Sequence, residues 1–157
     1  MSPDLTFKVV PLSEVPGDAF FPAMERHQPM VLVVDDERVI ADTLSVILTR
    51  SGFSVMTAYD GESALELAAA IPPDLLLSDV MMGPGIDGTE LAIQMVRSYP
   101  DCKVLLFSGH AATVDLLAKA RMSGHDFSLL TKPIHPADLL SRIAESLPRK
   151  SNLRFIA

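Results

Sequence analysis

The sequence is poor in cysteine, in long apolar runs and in basic clusters, and each shortage excludes a class of protein. Cys102 is the single cysteine among 157 residues, which rules out an internal disulfide and suits a reducing compartment. We expect it to be a small core residue rather than a reactive thiol. No segment reaches the roughly 18 apolar residues of a membrane span, and charged residues interrupt the first twenty positions, unlike a signal peptide. These features predict a soluble, cytoplasmic protein without a membrane partner.

The charge balance argues against nucleic acid as a partner. The formal net charge is −7, and the largest basic group is the pair Arg149-Lys150. Binding to nucleic acid depends on a basic surface that neutralises phosphates. We therefore expect no nucleic-acid partner.

What the sequence does contain, from residue 30 onward, is a regular alternation of short apolar runs and helix-like segments. The predicted strands are 30–34, 53–58, 75–79, 104–108 and 127–131, and the predicted helices are 40–48, 61–70, 89–99, 113–122 and 136–147. Parallel strands need crossovers of this kind, and the chain is too short for an eight-unit barrel. The pattern predicts an α/β fold with one doubly wound, five-stranded parallel sheet.

The chain divides into three predicted segments. Residues 1–29 are proline-rich and form an N-terminal extension, in which residues 6–10 could make one short strand. Residues 30–148 form the α/β domain, and residues 149–157 form a short C-terminal tail. Because so few residues follow the domain, we expect it to act without an attached output domain.

Polar side chains stand where four of the apolar runs end. They are Asp35 and Asp36, Asp79, Ser108, and Lys132. The carboxyl ends of parallel strands meet at one edge of a sheet, where open α/β folds place their sites. Carboxylates that crowd together raise one another's pKa unless a cation accompanies them, and oxygen ligands suit Mg²⁺. The pattern thus predicts a magnesium site.

Each of these residues also has an ordinary structural explanation. Asp35 and Asp36 could cap the helix that follows, because an Asp side chain accepts hydrogen bonds from free amides. Asp79 could begin a turn, and Lys132 could be a solvated surface lysine. Their joint occurrence at the ends of separate strands favours the functional interpretation.

Four segments together resemble the response-regulator receiver domains of two-component signalling. They are VLVVDDE, LLLSDVMMGPGIDG, VLLFSG and LLTKPIHPADLL, within residues 30–147. The resemblance implies a flavodoxin-like sheet of order 2-1-3-4-5 with five flanking helices. It also implies a phosphoprotein that accepts a phosphoryl group, not an enzyme that turns over an external substrate.

The resemblance assigns a role to each polar residue. Asp79 resembles the phospho-acceptor, Ser108 the hydroxyl that binds the phosphoryl oxygens, and Lys132 the lysine that pairs with them. Asp36, Asp35 and Asp79, with the backbone carbonyl of Met81, resemble the Mg²⁺ ligands. A carboxylate is a poor nucleophile toward an anionic donor, and Mg²⁺ and Lys132 would neutralise the incoming charge. The resemblance further suggests a cis bond before Pro133.

Two departures from the family pattern are visible. After the acceptor, residues 81–85 carry one more residue than usual before Asp87-Gly88. The position three before Lys132, commonly Tyr or Phe in the family, is Leu129 here. A bulge in the last strand could bring Phe127 into that role; otherwise the aromatic part of the switch is altered.

The main hypothesis is a response regulator that takes its phosphoryl group from a sensor histidine kinase or a histidine phosphotransfer protein. Its downstream protein target would read the face made by the fourth helix, fifth strand and fifth helix. The alternative is a phosphorylation-independent scaffold or adaptor with the same fold. A hydrolase of the haloacid-dehalogenase type also uses a carboxylate nucleophile, but it needs a second Asp where Met81 stands.

Overall fold

Five parallel strands form one sheet in the order β2-β1-β3-β4-β5. The computed structural model describes residues 28–109 and 113–148. The strands are β1 (Met30–Val34), β2 (Ser54–Ala58), β3 (Leu75–Asp79), β4 (Lys103–Ser108) and β5 (Ser128–Thr131). The helices are α1 (Arg38–Arg50), α2 (Gly61–Ala70), α3 (Gly88–Ser98), α4 (Thr113–Met122) and α5 (Pro136–Ser146). The predicted fold class, strand order and five helices are confirmed.

The predicted N-terminal extension, its short strand and the C-terminal tail lie almost wholly outside the described residues. The three-part division of the chain therefore stays a prediction. Gln28 and Pro29 belong to the described part, where the Pro29 carbonyl accepts a hydrogen bond from the Ser54 N–H at 3.1 Å.

The sheet is covered on both faces, as a parallel sheet requires. All five residues of β3 are buried, because this strand lies at the centre of the sheet. One apolar cluster joins the sheet to α1 and α5, with Leu48 and Leu139 at its centre. The other joins the opposite face to α2, α3 and α4, with Ala64, Leu91 and Leu117 among its members. Two cores on either side of β3 hold the carboxyl edge of the sheet in place.

Aspartate side chains cap the first turns of α2 and α3, the helices that follow β2 and β3. The Asp60 side chain accepts a hydrogen bond from the Ser63 N–H at 2.7 Å and caps α2. The Asp87 side chain accepts one from the Glu90 N–H at 2.9 Å and caps α3. Each cap satisfies an amide that the helix itself leaves free, so each loop turns sharply from strand to helix.

Cys102 is a core residue, as expected. It is 4% exposed and belongs to the apolar cluster under α3. Burial raises the pKa of its thiol to about 11, so the thiol stays protonated at neutral pH. Within the described residues, no helix has the length and apolar character needed to cross a membrane.

Candidate functional site

The register of the sheet brings the predicted polar residues to one edge. Val34 pairs with Ser78, which puts the residues after β1 beside Asp79 at the end of β3. Asp79 pairs in turn with Phe107, and Ser108 pairs with Thr131, the residue before Lys132. The polar residues at the carboxyl ends of β1, β3, β4 and β5 therefore lie along one crevice, as the sequence predicted.

Three carboxylates form the floor and rim of this crevice. One oxygen from each of Asp35, Asp36 and Asp79 lies within 4.8 Å of the others. Asp35 is 0% exposed and Asp79 is 3% exposed, whereas Asp36 is exposed at the rim. Burial raises the pKa of both Asp35 and Asp79, and the negative charge of a neighbouring carboxylate raises each further. The cluster is thus a concentration of unfavourable negative charge.

Lys132 offsets part of that charge. Its Nζ lies 3.2 Å from Oδ2 of Asp35 and 3.4 Å from Oδ2 of Asp79. Burial opposes the charge of the ammonium, but the two carboxylates outweigh it and raise the pKa of Lys132. The Nζ also lies 4.9 Å from the centroid of the Phe107 ring, a cation–π contact that helps to fix it. The Lys132-Pro133 bond is cis, as the resemblance suggested.

The carboxylate cluster fits a hard divalent cation. Oδ1 of Asp79 is buried and makes no hydrogen bond with the described residues, a condition that is costly unless a ligand completes the site. The donor atoms available are all oxygens, which Mg²⁺ prefers to nitrogen and sulfur. Asp35 uses its other oxygen, Oδ1, to accept a hydrogen bond from the Glu37 N–H at 2.9 Å. That bond orients the carboxylate toward Lys132 and the cluster.

The loop after Asp79, which we predicted to be one residue longer than usual, is held by contacts that the sequence did not suggest. The Glu62 carboxylate, in the first turn of α2, accepts a hydrogen bond from the Ile86 N–H at 3.2 Å. The Asp36 carboxylate accepts a longer one from the Gly83 N–H at 3.5 Å. Gly85 adopts a φ of 106°, a conformation that favours glycine, directly beside the Glu62 side chain. The loop is therefore held against the start of α2 by the Glu62 side chain.

Ser108 lies at the end of β4 and is 4% exposed. Its Oγ accepts a hydrogen bond from the hydroxyl of Thr113 at 2.6 Å. Thr113 is the first residue of α4 and is 1% exposed. The residue pattern predicted Thr113 only as a helix start, because no spacing rule connects it to Ser108.

The idea of a bulge in the last strand is wrong. β5 pairs with β4 in regular register from Ser128 to Thr131, and Leu129 lies opposite Leu106. Phe127 precedes the paired residues at the other end of the strand from Lys132, and its ring stacks on His125 at 5.8 Å. The strand begins one residue later than predicted. Leu129 thus stays three residues before Lys132, at the position where the family resemblance favours Tyr or Phe.

Comparison with known proteins agrees with this geometry. The family model for the response regulator receiver domain matches residues 31–144. The chain belongs to the response regulator receiver domain family. As a receiver domain of two-component signalling, it is implied to interact with a histidine kinase or phosphotransfer partner.

Solved receiver domains share its fold closely. A CheY-like receiver domain protein from Methanospirillum hungatei is 29% identical, with a TM-score of 0.68, over 75% of this chain and 92% of that one. The chemotaxis protein CheY4 from Vibrio cholerae is 30% identical, with a TM-score of 0.66, over 76% of this chain and 99% of that one. The receiver domain of an HD domain-containing protein from Pseudomonas fluorescens is 30% identical, with a TM-score of 0.70, over 76% of this chain and 87% of that one.

Proposed function

We propose that this receiver domain is a Mg²⁺-dependent phosphoryl acceptor and conformational switch, with Asp79 as the acceptor. The observation that carries the proposal is the position of Asp79. Its carboxylate is buried between two further carboxylates and the ammonium of Lys132, with one oxygen lacking a hydrogen-bond partner among the described residues. A buried, partly neutralised carboxylate of this kind is well placed to act as a nucleophile.

The reaction is an in-line displacement at phosphorus. A carboxylate oxygen of Asp79 attacks the phosphorus of a phosphohistidine on a sensor histidine kinase or a histidine phosphotransfer protein. The P–N bond breaks, the electron pair leaves with the imidazole nitrogen, and Asp79 becomes an acyl phosphate. The protein is the substrate of this step and carries the product, so the domain is not an enzyme acting on an external substrate.

The surrounding residues lower the electrostatic cost of bringing an anionic donor to a carboxylate. Lys132 holds Oδ2 of Asp79 and places its positive charge where the phosphoryl oxygens arrive. Asp35, Asp36 and Asp79, with the Met81 backbone carbonyl, would hold the Mg²⁺ ion. When bound, Mg²⁺ supplies the additional positive charge that neutralises the transferring group. The Ser108 hydroxyl can then donate to a phosphoryl oxygen.

Phosphorylation would alter a surface of the domain that a partner protein can bind. Ser108 ends β4 and Lys132 follows β5, so phosphorylation acts on the strands beside α4 and α5. We infer that a downstream protein reads the face formed by α4, β5 and α5. A tenfold change in partner affinity needs a difference of only about 1.4 kcal/mol between the two states.

Intact mass spectrometry tests the chemistry directly. Wild type, Asp79→Asn and Asp101→Asn would be incubated with acetyl phosphate, with and without Mg²⁺. Asp101 is an exposed carboxylate before β4 and serves as the matched control. We expect one phosphoryl group on wild type and on Asp101→Asn only with Mg²⁺, and none on Asp79→Asn. An unmodified wild type, or a modified Asp79→Asn, would refute the proposal.

One observation favours the alternative of a phosphorylation-independent scaffold. Leu129 replaces the usual switch aromatic and packs partly buried against the core, so that part of the response is altered. Beryllofluoride with Mg²⁺ mimics the phosphoryl group and separates the two functions by NMR. Amide shifts that spread from Asp79 to α4, β5 and α5 support the switch, whereas shifts confined to the crevice support the scaffold.

A further inference from the structure

The Ser108–Thr113 hydrogen bond joins the phosphoryl-binding edge to the start of α4. Both hydroxyls are buried, and the oxygen–oxygen distance of 2.6 Å is short for a pair of neutral groups. Ser108 belongs to the sheet, whereas Thr113 belongs to a helix of the proposed output face. The bond is therefore a direct polar link between two elements that the proposed switch has to couple.

The direction of the bond leaves the proposed role of Ser108 intact. Thr113 donates and Ser108 accepts. A hydroxyl has one hydrogen to donate and two lone pairs to accept, so this bond uses an acceptor position of Ser108 and not its donor. In the phosphorylated state that we propose, Ser108 would donate to a phosphoryl oxygen and would still accept from Thr113. Such chains of hydrogen bonds strengthen one another in a buried setting.

The helix that receives this link is lightly anchored. In the described part of α4, only Thr113, Leu117 and Ala120 are buried. The neighbouring helix α3 buries Leu91, Ala92 and Met95 completely. Leu117 is the one buried large apolar side chain of α4, and Leu116 packs only partly buried beside it. The polar contact of Thr113 is therefore a greater share of the attachment of α4 to the sheet than it would be in α3.

We propose that Thr113 is a positioning residue that transmits the state of the phosphoryl site from Ser108 to the first turn of α4. The proposal rests on the function proposed above. It adds a route for the signal in a domain that has Leu129 where the family resemblance favours an aromatic switch residue. When Ser108 moves toward a phosphoryl group on Asp79, Thr113 follows it, and the start of α4 moves with Thr113. Removal of the Thr113 hydroxyl should then separate phosphorylation from the response of α4.

Two valine substitutions offer a matched comparison. Thr113→Val keeps the shape of the side chain and removes its hydroxyl. Thr89→Val does the same in the first turn of α3, where Thr89 is 5% exposed and its Oγ has no hydrogen-bond partner among the described residues. Thr113→Ser restores a hydroxyl and tests rescue. Thr113→Ala provides a smaller side chain if valine prevents folding.

Each variant would be measured in two ways. Intact mass after acetyl phosphate and Mg²⁺ reports the chemistry, and amide shifts on addition of Mg²⁺ and beryllofluoride report the response of α4. We expect Thr113→Val to take up one phosphoryl group, as wild type does. On addition of Mg²⁺ and beryllofluoride, the population ratio of the two α4 states should change about fivefold less in this variant than in wild type, because about fivefold is the factor that one net hydrogen bond supplies. Thr89→Val and Thr113→Ser should respond like wild type.

The outcomes distinguish the two proposals. If wild type takes up no phosphoryl group, both fail. If wild type is phosphorylated and the folded Thr113→Val or Thr113→Ala variant shows the full α4 response, only the transmission through Thr113 is overturned. The same holds if Thr113→Ser behaves like Thr113→Val, or if a folded Thr113→Val loses phosphoryl uptake itself.

Discussion

Gly88 packs directly on the backbone of Asp79, so closely that a methyl group at position 88 would overlap the Asp79 carbonyl oxygen. The Gly88 N–H donates a hydrogen bond to the Val80 carbonyl at 2.8 Å, which draws the start of α3 against the end of β3. The end of β3 and the start of α3 therefore meet without an intervening side chain. Only glycine permits this approach.

We predict that Gly88→Ala destabilises the domain and impairs its chemistry. Overpacking against a backbone atom typically costs about 1–3 kcal/mol of unfolding free energy, because strand or helix must shift. The shift would displace Asp79, so phosphoryl uptake should slow as well. Gly83→Ala in the same loop is the control, since nothing lies within 4 Å of a Cβ there. Urea unfolding and mass spectrometry measure the two effects, and equal stability of the two variants would contradict the prediction.

A second prediction concerns the competition between Lys132 and a metal ion for the same carboxylates. The Lys132 Nζ already pairs with Asp35 and Asp79, so it repels a cation bound to that cluster. Lys132→Met should therefore bind Mg²⁺ more tightly, roughly tenfold. That factor equals about 1.4 kcal/mol, near the lower end of the range of about 1–4 kcal/mol for two unit charges 4 Å apart. Phosphoryl uptake should fall at the same time, because the ammonium no longer neutralises the donor.

Tighter Mg²⁺ binding together with lower phosphoryl uptake would distinguish the loss of the Lys132 charge from misfolding, because misfolding would weaken both. Titration of Mg²⁺ followed by NMR measures the affinity. Lys103→Met is the control, because Lys103 is exposed at the amino end of β4, away from the site. Weaker Mg²⁺ binding by Lys132→Met would mean that the lysine organises the carboxylates and does not compete with the ion.

A third prediction follows from the burial of Asp79 itself. Since burial raises the pKa of this carboxyl in the folded state, the folded protein holds its proton more tightly than the unfolded chain does. The resulting stability is fully present below the unfolded pKa of about 3.9 and is lost as pH rises through the folded pKa. Without Mg²⁺, Asp79→Asn should lose less stability than wild type between acidic and neutral pH. At pH 7 its free energy of unfolding should equal that of wild type or exceed it by about 1 kcal/mol.

Thermal unfolding across pH measures this difference. Addition of Mg²⁺ should raise the unfolding temperature of wild type more than that of Asp79→Asn, because the variant lacks one of the charges that the ion offsets. A wild type that gains stability relative to Asp79→Asn as the pH rises, without Mg²⁺, would show that the Lys132 ion pair outweighs burial.

The sequence predicted those parts of the site that depend on topology. Asp35, Asp79 and Lys132 follow apolar runs, and parallel strands necessarily bring such positions to one edge. A strand order and a regular register then suffice to place the three side chains in contact. No detail of packing was needed for that prediction.

The parts that were missed depend on side-chain packing across loops. The Thr113 hydroxyl donates to Ser108, five residues earlier, and no spacing rule connects the two positions. The Glu62 contact joins the first turn of α2 to Ile86 in the loop before α3, two parts of the chain that are distant in sequence. The bulge was wrong because β5 pairs with β4 residue for residue, and the sequence pattern does not fix where that pairing begins. Periodicity carries information about faces, but not about such contacts.

A fourth prediction concerns the cap of α2, where charge and geometry can be separated. The Asp60 side chain accepts a hydrogen bond from the Ser63 N–H, which holds the pKa of its carboxyl below the ordinary value. A lowered pKa gives stability that is present above the unfolded pKa of about 3.9 and is lost as pH falls through the folded pKa. Asp60→Ala should therefore cost about 1 kcal/mol at pH 7, and its difference from wild type should narrow below about pH 4. Asp60→Asn keeps a neutral acceptor, so its loss of unfolding free energy should be smaller and should change little with pH. Asp101→Ala, at an exposed position, is the control. Urea unfolding at several pH values measures all three, and a loss in Asp60→Ala that stays constant down to pH 3 would show that the capping oxygen, not its charge, stabilises the helix.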